Sequence, residues 1–258
     1  MLRIVLIIVL VLIVFIPLLI FLGLRLPPQP FPSYLQQAPQ LTMAPLPDDL
    51  PPPVERFYHA TMGDQVPVID SAVINTRGKL RVNGITFPTR FIFTHDAGQA
   101  YRHYIELTFF GIPLMKINES YLDGRARMEL PMGVIENEPK IDMAANLGLW
   151  GESIWLPSIF LTDPRVRWEA IDDATARLIV PFEGGEDEFT VFFDAETGLV
   201  ERMEALRWRD AVDAEKHLWI LEPHGWAEFS GVRIPSQAAV TWADEGTPWL
   251  MVNLEEVV

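Results

Sequence analysis

Residues 175–198 read Thr-Ala-Arg-Leu-Ile-Val-Pro-Phe-Glu-Gly-Gly-Glu-Asp-Glu-Phe-Thr-Val-Phe-Phe-Asp-Ala-Glu-Thr-Gly, and this stretch decides the fold class. Ala176, Leu178, Val180 and Phe182 fall at every second position, and the period resumes in Phe189, Val191 and Phe193. A period of two belongs to a pleated strand, whose successive side chains point to opposite faces. Gly184-Gly185 supplies the turn between two such strands, and Asp194-Ala195-Glu196-Thr197-Gly198 supplies the next one. Outward from here the pattern repeats. Val166, Trp168 and Ala170 alternate with charged residues, and Ile85, Phe87, Phe91 and Phe93 follow the Asn83-Gly84 turn signal. Further turns are expected at Thr76-Arg77-Gly78, Asp96-Ala97-Gly98, Asp123-Gly124 and Asp172-Asp173. Strands joined by short links pair with their neighbours, so residues 55–258 are expected to form an antiparallel, mainly β domain.

Some strands are apolar on both faces. His217-Leu218-Trp219-Ile220-Leu221 has no polar face, and Tyr104 to Phe110 is interrupted only by Glu106 and Thr108. Such strands need a cover on their second side, whether helix, sheet or ligand. One segment breaks the strand period: Met143, Leu147, Trp150 and Ile154 share one helical stripe. Asp142 is a suitable N-cap and Pro157 a stop, which gives a helix over 142–156 with Leu149 and Trp155 flanking the stripe and Glu152 opposite its centre. A second short helix is expected over Pro53–Thr61. The predicted architecture is a strongly curved antiparallel sheet, half-barrel-like, with one or two helices on its concave face.

The amino-terminal part is of another kind. Ile4 to Leu24 holds no charged residue; as a helix of ~1.5 Å per residue it would cross a hydrocarbon core of ~30 Å. It exceeds the apolar region of a cleaved signal peptide, and no small-x-small cleavage site follows. Residues 1–25 are therefore read as a transmembrane anchor, N-inside and C-outside. Ten prolines between residues 26 and 54 make that segment an extended linker, with 55–258 as the extracytoplasmic body of a bacterial inner or cytoplasmic membrane protein.

Composition narrows the function. The chain has 258 residues, 49% hydrophobic, with eight Trp and fifteen Phe, which excludes a disordered protein. Beyond Arg3 and the apolar run, 19 basic face 35 acidic side chains, and so acidic a body is no partner for nucleic acid. The absence of cysteine removes disulfides, zinc–thiolate sites, iron–sulfur clusters and thiol nucleophiles together.

No motif specifies a reaction. The five histidines, His59, His95, His103, His217 and His224, lack helical metal-ligand spacing, although His95 and His103 could face each other across the Asp96-Ala97-Gly98 hairpin. Gly151-Glu152-Ser153-Ile154-Trp155 begins like an esterase elbow but lacks its final glycine. No catalytic residue, metal or cofactor is expected, and the reading leans away from an enzyme. Arg207 and Arg209, like Arg165 and Arg167, share a strand face and could clamp an anionic headgroup or pair with neighbouring carboxylates. A curved sheet with an aromatic helix could instead hold an apolar ligand, for which Leu147, Trp150, Glu152, Trp155 and Trp168 are the candidate residues.

Asn146-Leu-Gly-Leu-Trp-Gly-Glu-Ser-Ile-Trp-Leu-Pro-Ser158, Arg167-Trp-Glu-Ala170, Phe193-Asp-Ala-Glu-Thr-Gly-Leu199 and Gly231-Val-Arg-Ile-Pro235 resemble an uncharacterised bacterial family of membrane-anchored proteins of unknown function. The Asp-x-Glu-Thr-Gly turn and the Gly-x-x-Ile-Pro strand also resemble, more distantly, the lipoprotein-carrier half-barrels of the bacterial envelope. That second resemblance implies a sheet wrapped around helices that holds acyl chains. The expected function is a membrane-anchored extracytoplasmic module binding a lipid or other apolar ligand. The alternatives are a structural or protein-interaction module of the envelope, with a partner the sequence does not name, and a hydrolase using Glu152 or Glu106 with a histidine.

Overall fold

Asn-Gly and Asp-Gly pairs favour the left-handed backbone that a two-residue hairpin needs, and the chain uses that turn repeatedly. Asn83-Gly84, Asp123-Gly124 and Glu183-Gly184 each place two consecutive residues at positive φ. The computed structural model describes residues 2–34 and 41–258, with the side chains of α1 described for Arg3 and for residues 11–23. The part of the expected linker at 35–40 lies outside the described residues.

In chain order, helix α1 (Leu2–Gly23) is followed by β1 (Thr42–Pro45), α2 (Pro52–Thr61) and β2 (Gln65–Val68). The first sheet arm holds β3 (Ser71–Val82), β4 (Ile85–Asp96), β5 (Ala100–Phe109), β6 (Ile112–Leu122), β7 (Arg125–Leu130) and β8 (Gly133–Glu136). Then come α3 (Pro139–Glu152), a 3-10 turn at Ser153–Trp155 and α4 (Ile159–Thr162). The second arm holds β9 (Arg167–Ala170), β10 (Thr175–Phe182), β11 (Gly185–Phe193), β12 (Val200–Arg207), β13 (His217–Phe229), β14 (Val232–Trp242) and β15 (Leu250–Val257).

Strands β3 to β15 form one thirteen-stranded antiparallel sheet, ordered 8-7-6-5-4-3-15-14-13-12-11-10-9, while β1 pairs with β2 alone. Each arm is a meander of consecutive hairpins. The arms meet where β15 runs antiparallel to β3, Val257 beside Ile74 and Leu250 beside Leu80. The sheet is not closed: β8 and β9 remain its two edges. It curls enough for α3 to touch β6 and β7 on one arm and β10 and β12 on the other. The expected mainly β, curved architecture is thus present.

Three local expectations need correction. Gly78 lies inside β3 and makes no turn; a Cβ there would stand 1.8 Å from the Met251 carbonyl oxygen, so glycine permits the close approach of β15. The helix predicted at 142–156 begins three residues earlier, because Pro139 at its first position is already set for helical φ. Asp142 is consequently a buried first-turn residue, accepting from Ala126 N (2.7 Å) and Arg125 Nη1 (2.8 Å), while Glu138 stands at the N-cap. At the other end the helix tightens into the 3-10 turn before Pro157.

The proline-rich segment is bonded to the sheet. Its first part lies along the convex face of the sheet, where Arg77 Nη1 donates to Pro28 O (3.0 Å) and Arg90 Nη1 to Gln29 O (3.1 Å). The backbone NH of Tyr34 donates to Glu256 (3.1 Å). Prolines leave carbonyls without internal donors, and the arginines of β3 and β4 satisfy them. Upstream, Phe110 N donates to Gly23 O (2.9 Å), and the Phe109 ring packs where a Cβ of Gly23 would be. Helix α1 therefore ends against the β5–β6 turn. Its described apolar side chains span residues 11–23, and among the described residues no helix is long and apolar enough to cross a membrane.

Candidate functional site

Odd-numbered residues of β5 face the concavity: Tyr101, His103, Ile105 and Leu107 are all buried. On β4, Phe91, Phe93 and His95 do the same. His95 lies opposite Tyr101 and His103 opposite Phe93, so the two histidines sit diagonally on one face with ring centroids 6.0 Å apart. Helix α3 covers them and places Glu152, its last residue, between them. Glu152 Oε2 lies 2.9 Å from His103 Nε2 and 3.2 Å from His95 Nε2.

The surroundings of this cluster are built from aromatic rings and a second carboxylate. Tyr101 stacks on His103 at 4.1 Å, and Phe93 meets His103 edge-on at 4.7 Å. Tyr101 OH donates to Glu119 Oε1 (2.7 Å), and Glu119 Oε2 stands 3.9 Å from His103 Nδ1. Burial works against a charged imidazole, but the Glu152 and Glu119 carboxylates outweigh it and lift His103 to about 9. Burial likewise opposes the Glu152 carboxylate, yet His103 and His95 hold it down at about 2. Arg207 flanks the same region, donating to Ala144 O (2.8 Å) and lying 4.5 Å over the Trp219 ring.

The sequence-predicted ligand residues divide. Leu147, Trp150 and Trp155 are buried within the core cluster and Trp168 packs partly buried against it, while Glu152 turns to the histidines. Nine of the fourteen residues of α3 are buried, including Ala144, Ala145, Gly148, Leu149 and Gly151, so the concave face is filled where the helix lies. A cleft of about 780 Å³ opens beside it, lined by Trp150 and Leu149 together with Asp96, Arg102, Arg165 and Glu183. Three of the four arginines that could hold a headgroup pair with carboxylates: Arg209 meets Asp244 at 2.7 Å, Arg165 meets Asp163 at 2.5 Å, and Arg167 meets Glu186, while Arg207 is turned to Ala144 O.

The convergence of His95, His103 and Glu152 was not drawn from the sequence. Its signal was present: two histidines of equal parity on the two strands of one hairpin share a face. What no spacing rule supplies is that the end of α3 lands on that face.

On the convex side, Glu106 is buried although it points away from the core. Arg90 Nε donates to it at 2.6 Å and Tyr104 OH at 2.6 Å, and Arg90 lies 4.2 Å over the Phe31 ring of the proline-rich segment. That segment is the second cover that the two-faced Tyr104–Phe110 stretch requires. At the β5–β6 turn the cover ends, and Ile112 (69% exposed) and Leu114 (63%) stand in solvent beside Phe110. Phe110 holds a left-handed backbone (φ 53°), a conformation bulky residues rarely adopt.

Three solved structures are among those similar to this chain. They are a putative outer membrane lipoprotein-sorting protein domain from Vibrio parahaemolyticus (10% identity, 80% of this chain and 88% of that one covered, TM-score 0.41); a LolA superfamily protein from Nitrosomonas europaea (9% identity, 80% and 90% covered, TM-score 0.45); and a DUF1329 family protein from Desulfovibrio piger (14% identity, 73% and 85% covered, TM-score 0.43). No curated protein matches. Residues 40–254 match the family of unknown function DUF6544, and the chain belongs to that family.

Proposed function

We propose that this chain is a single-pass protein of the bacterial envelope whose extracytoplasmic half-barrel rests on the membrane that anchors it, and that it binds a lipid or other apolar ligand there. Residues 1–25 form the anchor, 26–54 the linker and 55–258 the body. The observation that carries this reading is the exposed apolar tip Phe110, Ile112 and Leu114, set directly against the carboxyl end of the apolar helix α1. Exposed apolar side chains continuous with a membrane helix gain free energy by entering the headgroup region. The short link from Gly23 to the sheet surface leaves the body no room to stand away from the bilayer.

The ligand's place in this reading is the cleft lined by Trp150 and Leu149, with Leu147, Trp155 and Trp168 in the core behind it. Its volume suits a small ligand and its charged rim suits an amphiphile better than a bare hydrocarbon. The cleft includes the β4–β5 turn and the apolar tip is the β5–β6 turn. These lie at opposite ends of β5, so the ligand would be presented away from the bilayer. One observation favours a second reading, a structural or protein-interaction module: α3 fills the concave face.

The lack of native cysteine makes the test direct. In the full chain reconstituted into nanodiscs, Ile112→Cys carrying an environment-sensitive dye is expected to be quenched by spin-labelled lipid, while a dye at Val212→Cys is not. A fully aqueous label at position 112 sinks the membrane-resting reading. Native mass spectrometry of the full chain, with organic extraction, should reveal a stoichiometric apolar ligand; an empty protein that also ignores a fatty acyl probe leaves the interaction module.

A further inference from the structure

We infer that His95, His103 and Glu152 form a site for a divalent transition-metal ion that fastens the carboxyl end of α3 to β4 and β5. The inference is independent of the membrane reading. One ring nitrogen each of His95 and His103 and one Glu152 oxygen all lie within 4.8 Å of one another. The two imidazoles are 1% and 4% exposed and Glu152 19%. Despite separations of 2.9 and 3.2 Å, none of these three atoms has a hydrogen-bond partner of acceptable direction. Buried polar atoms are nearly always satisfied, so three unsatisfied ones clustered together need an explanation.

A metal ion supplies it. Two ligand atoms each about 2.0–2.1 Å from a metal, subtending about 90–110°, stand about 2.9–3.4 Å apart. The two separations from Glu152 Oε2 fall in that interval, where a hydrogen bond would need the imidazole N–H aimed at the oxygen. The next layer also fits. The other nitrogen of His103 faces Glu119, which Tyr101 holds by its hydroxyl, and a carboxylate behind a ligating histidine fixes its ring orientation. Two imidazole nitrogens with one carboxylate suit zinc, iron(II), cobalt or nickel. Magnesium and calcium prefer all-oxygen sets, and copper(I) prefers sulfur. Three protein donors leave room for at least one solvent ligand. Without metal, the same groups are a buried ion triad, which is the competing account the experiment must exclude.

The full chain, purified in detergent and stripped with a chelator, would be titrated with Zn²⁺ alone against a chromophoric competitor. One ion per chain is expected. His95→Gln and His103→Gln should each weaken binding by more than about 100-fold, and Glu119→Gln, one layer out, by about 10- to 100-fold. His224→Gln, on an exposed strand position, should change nothing. If the ligand variants fail to fold, the wild-type chain decides. Co²⁺ should then give visible ligand-field bands, and Zn²⁺ but not Mg²⁺ should raise Tm. Absence of stoichiometric binding, or binding that survives both histidine substitutions, overturns the inference in favour of the bare ion triad.

Discussion

The two faces of strand β5 are finished by opposite means. Inward, Tyr101, His103, Ile105 and Leu107 meet a helix, and the cover works through area: large apolar surfaces are removed from water together. Outward, Tyr104 and the Arg90–Glu106 pair meet a proline-rich strap that brings little apolar surface besides Phe31, and the cover works through a few directed bonds around Arg90. The contrast teaches that a two-faced strand does not need a second layer of regular structure. An irregular segment suffices when the sheet supplies donors for carbonyls that proline cannot pair.

If that contrast is right, the two covers should fail differently. Removing Trp150, the largest fully buried side chain of the inner cover, should cost most. Trp150→Ala is expected to lose about 3–5 kcal/mol in chemical denaturation, from lost burial and the cavity left behind. A loss below ~1 kcal/mol would mean the helix is not the principal inner cover.

Arg90→Ala attacks the outer cover. It leaves the buried Glu106 carboxylate short of its charged donor, with Tyr104 OH remaining, a loss of about 1–3 kcal/mol, and it frees the carbonyl of Gln29. Its signature should be local: faster proteolysis within residues 26–34 at a protease level that spares the sheet. Global unfolding without that selective cleavage would show that the strap is integral to the core.

The smallest expected effect concerns Asp187, which lies on the inner side of β11 and accepts from Asn146 Nδ2 at 3.0 Å. Burial raises its pKa above the ordinary aspartate value, with Asn146 and Lys216 opposing. A group whose folded pKa is raised contributes stability fully present below its unfolded pKa and lost as pH rises through the folded one. The wild-type chain should therefore lose a little stability from this group as pH climbs from about 3.8, the ordinary value. Asp187→Asn should flatten that part of the pH–stability curve and be the more stable form at neutral pH. An unchanged curve would place Asp187 in a wetter setting than its position on β11 implies.

Much of the sheet was legible because alternation is a local property. Phe189, Val191 and Phe193 face the core as their period requires, and the Asn83-Gly84 and Asp123-Gly124 turns fall where the residues put them. Gly78 misled because a glycine that admits a neighbouring backbone looks, in sequence, like one that makes a turn. The helix from Pro139 was recognised by its stripe, but its burial on nearly every side depends on how far the sheet curls. The candidate site was the least legible part. His95, His103 and Glu152 each have an ordinary local setting, and only the docking of α3 makes them neighbours. The strap was hidden for the converse reason, since prolines announce the absence of regular structure and say nothing of what the segment lies against.

The pairing of β15 with β3 also has a consequence in time. Sequential hairpins can zip up on each arm while the chain is still emerging, but the seam joins residues 74–80 to residues 250–257. Until the last few residues are available, β3 and β14 remain open strand edges, competent to pair with any other chain. Glu256 tightens the dependence, because its carboxylate accepts both from Asn75 Nδ2 (2.8 Å) and from the backbone NH of Tyr34. The final strand thus locks the two arms and the start of the chain in a single act. Biogenesis should be sensitive to C-terminal truncation out of proportion to the residues removed: loss of β15 would release two half-sheets and an unfastened strap, a ready substrate for chaperones and proteases.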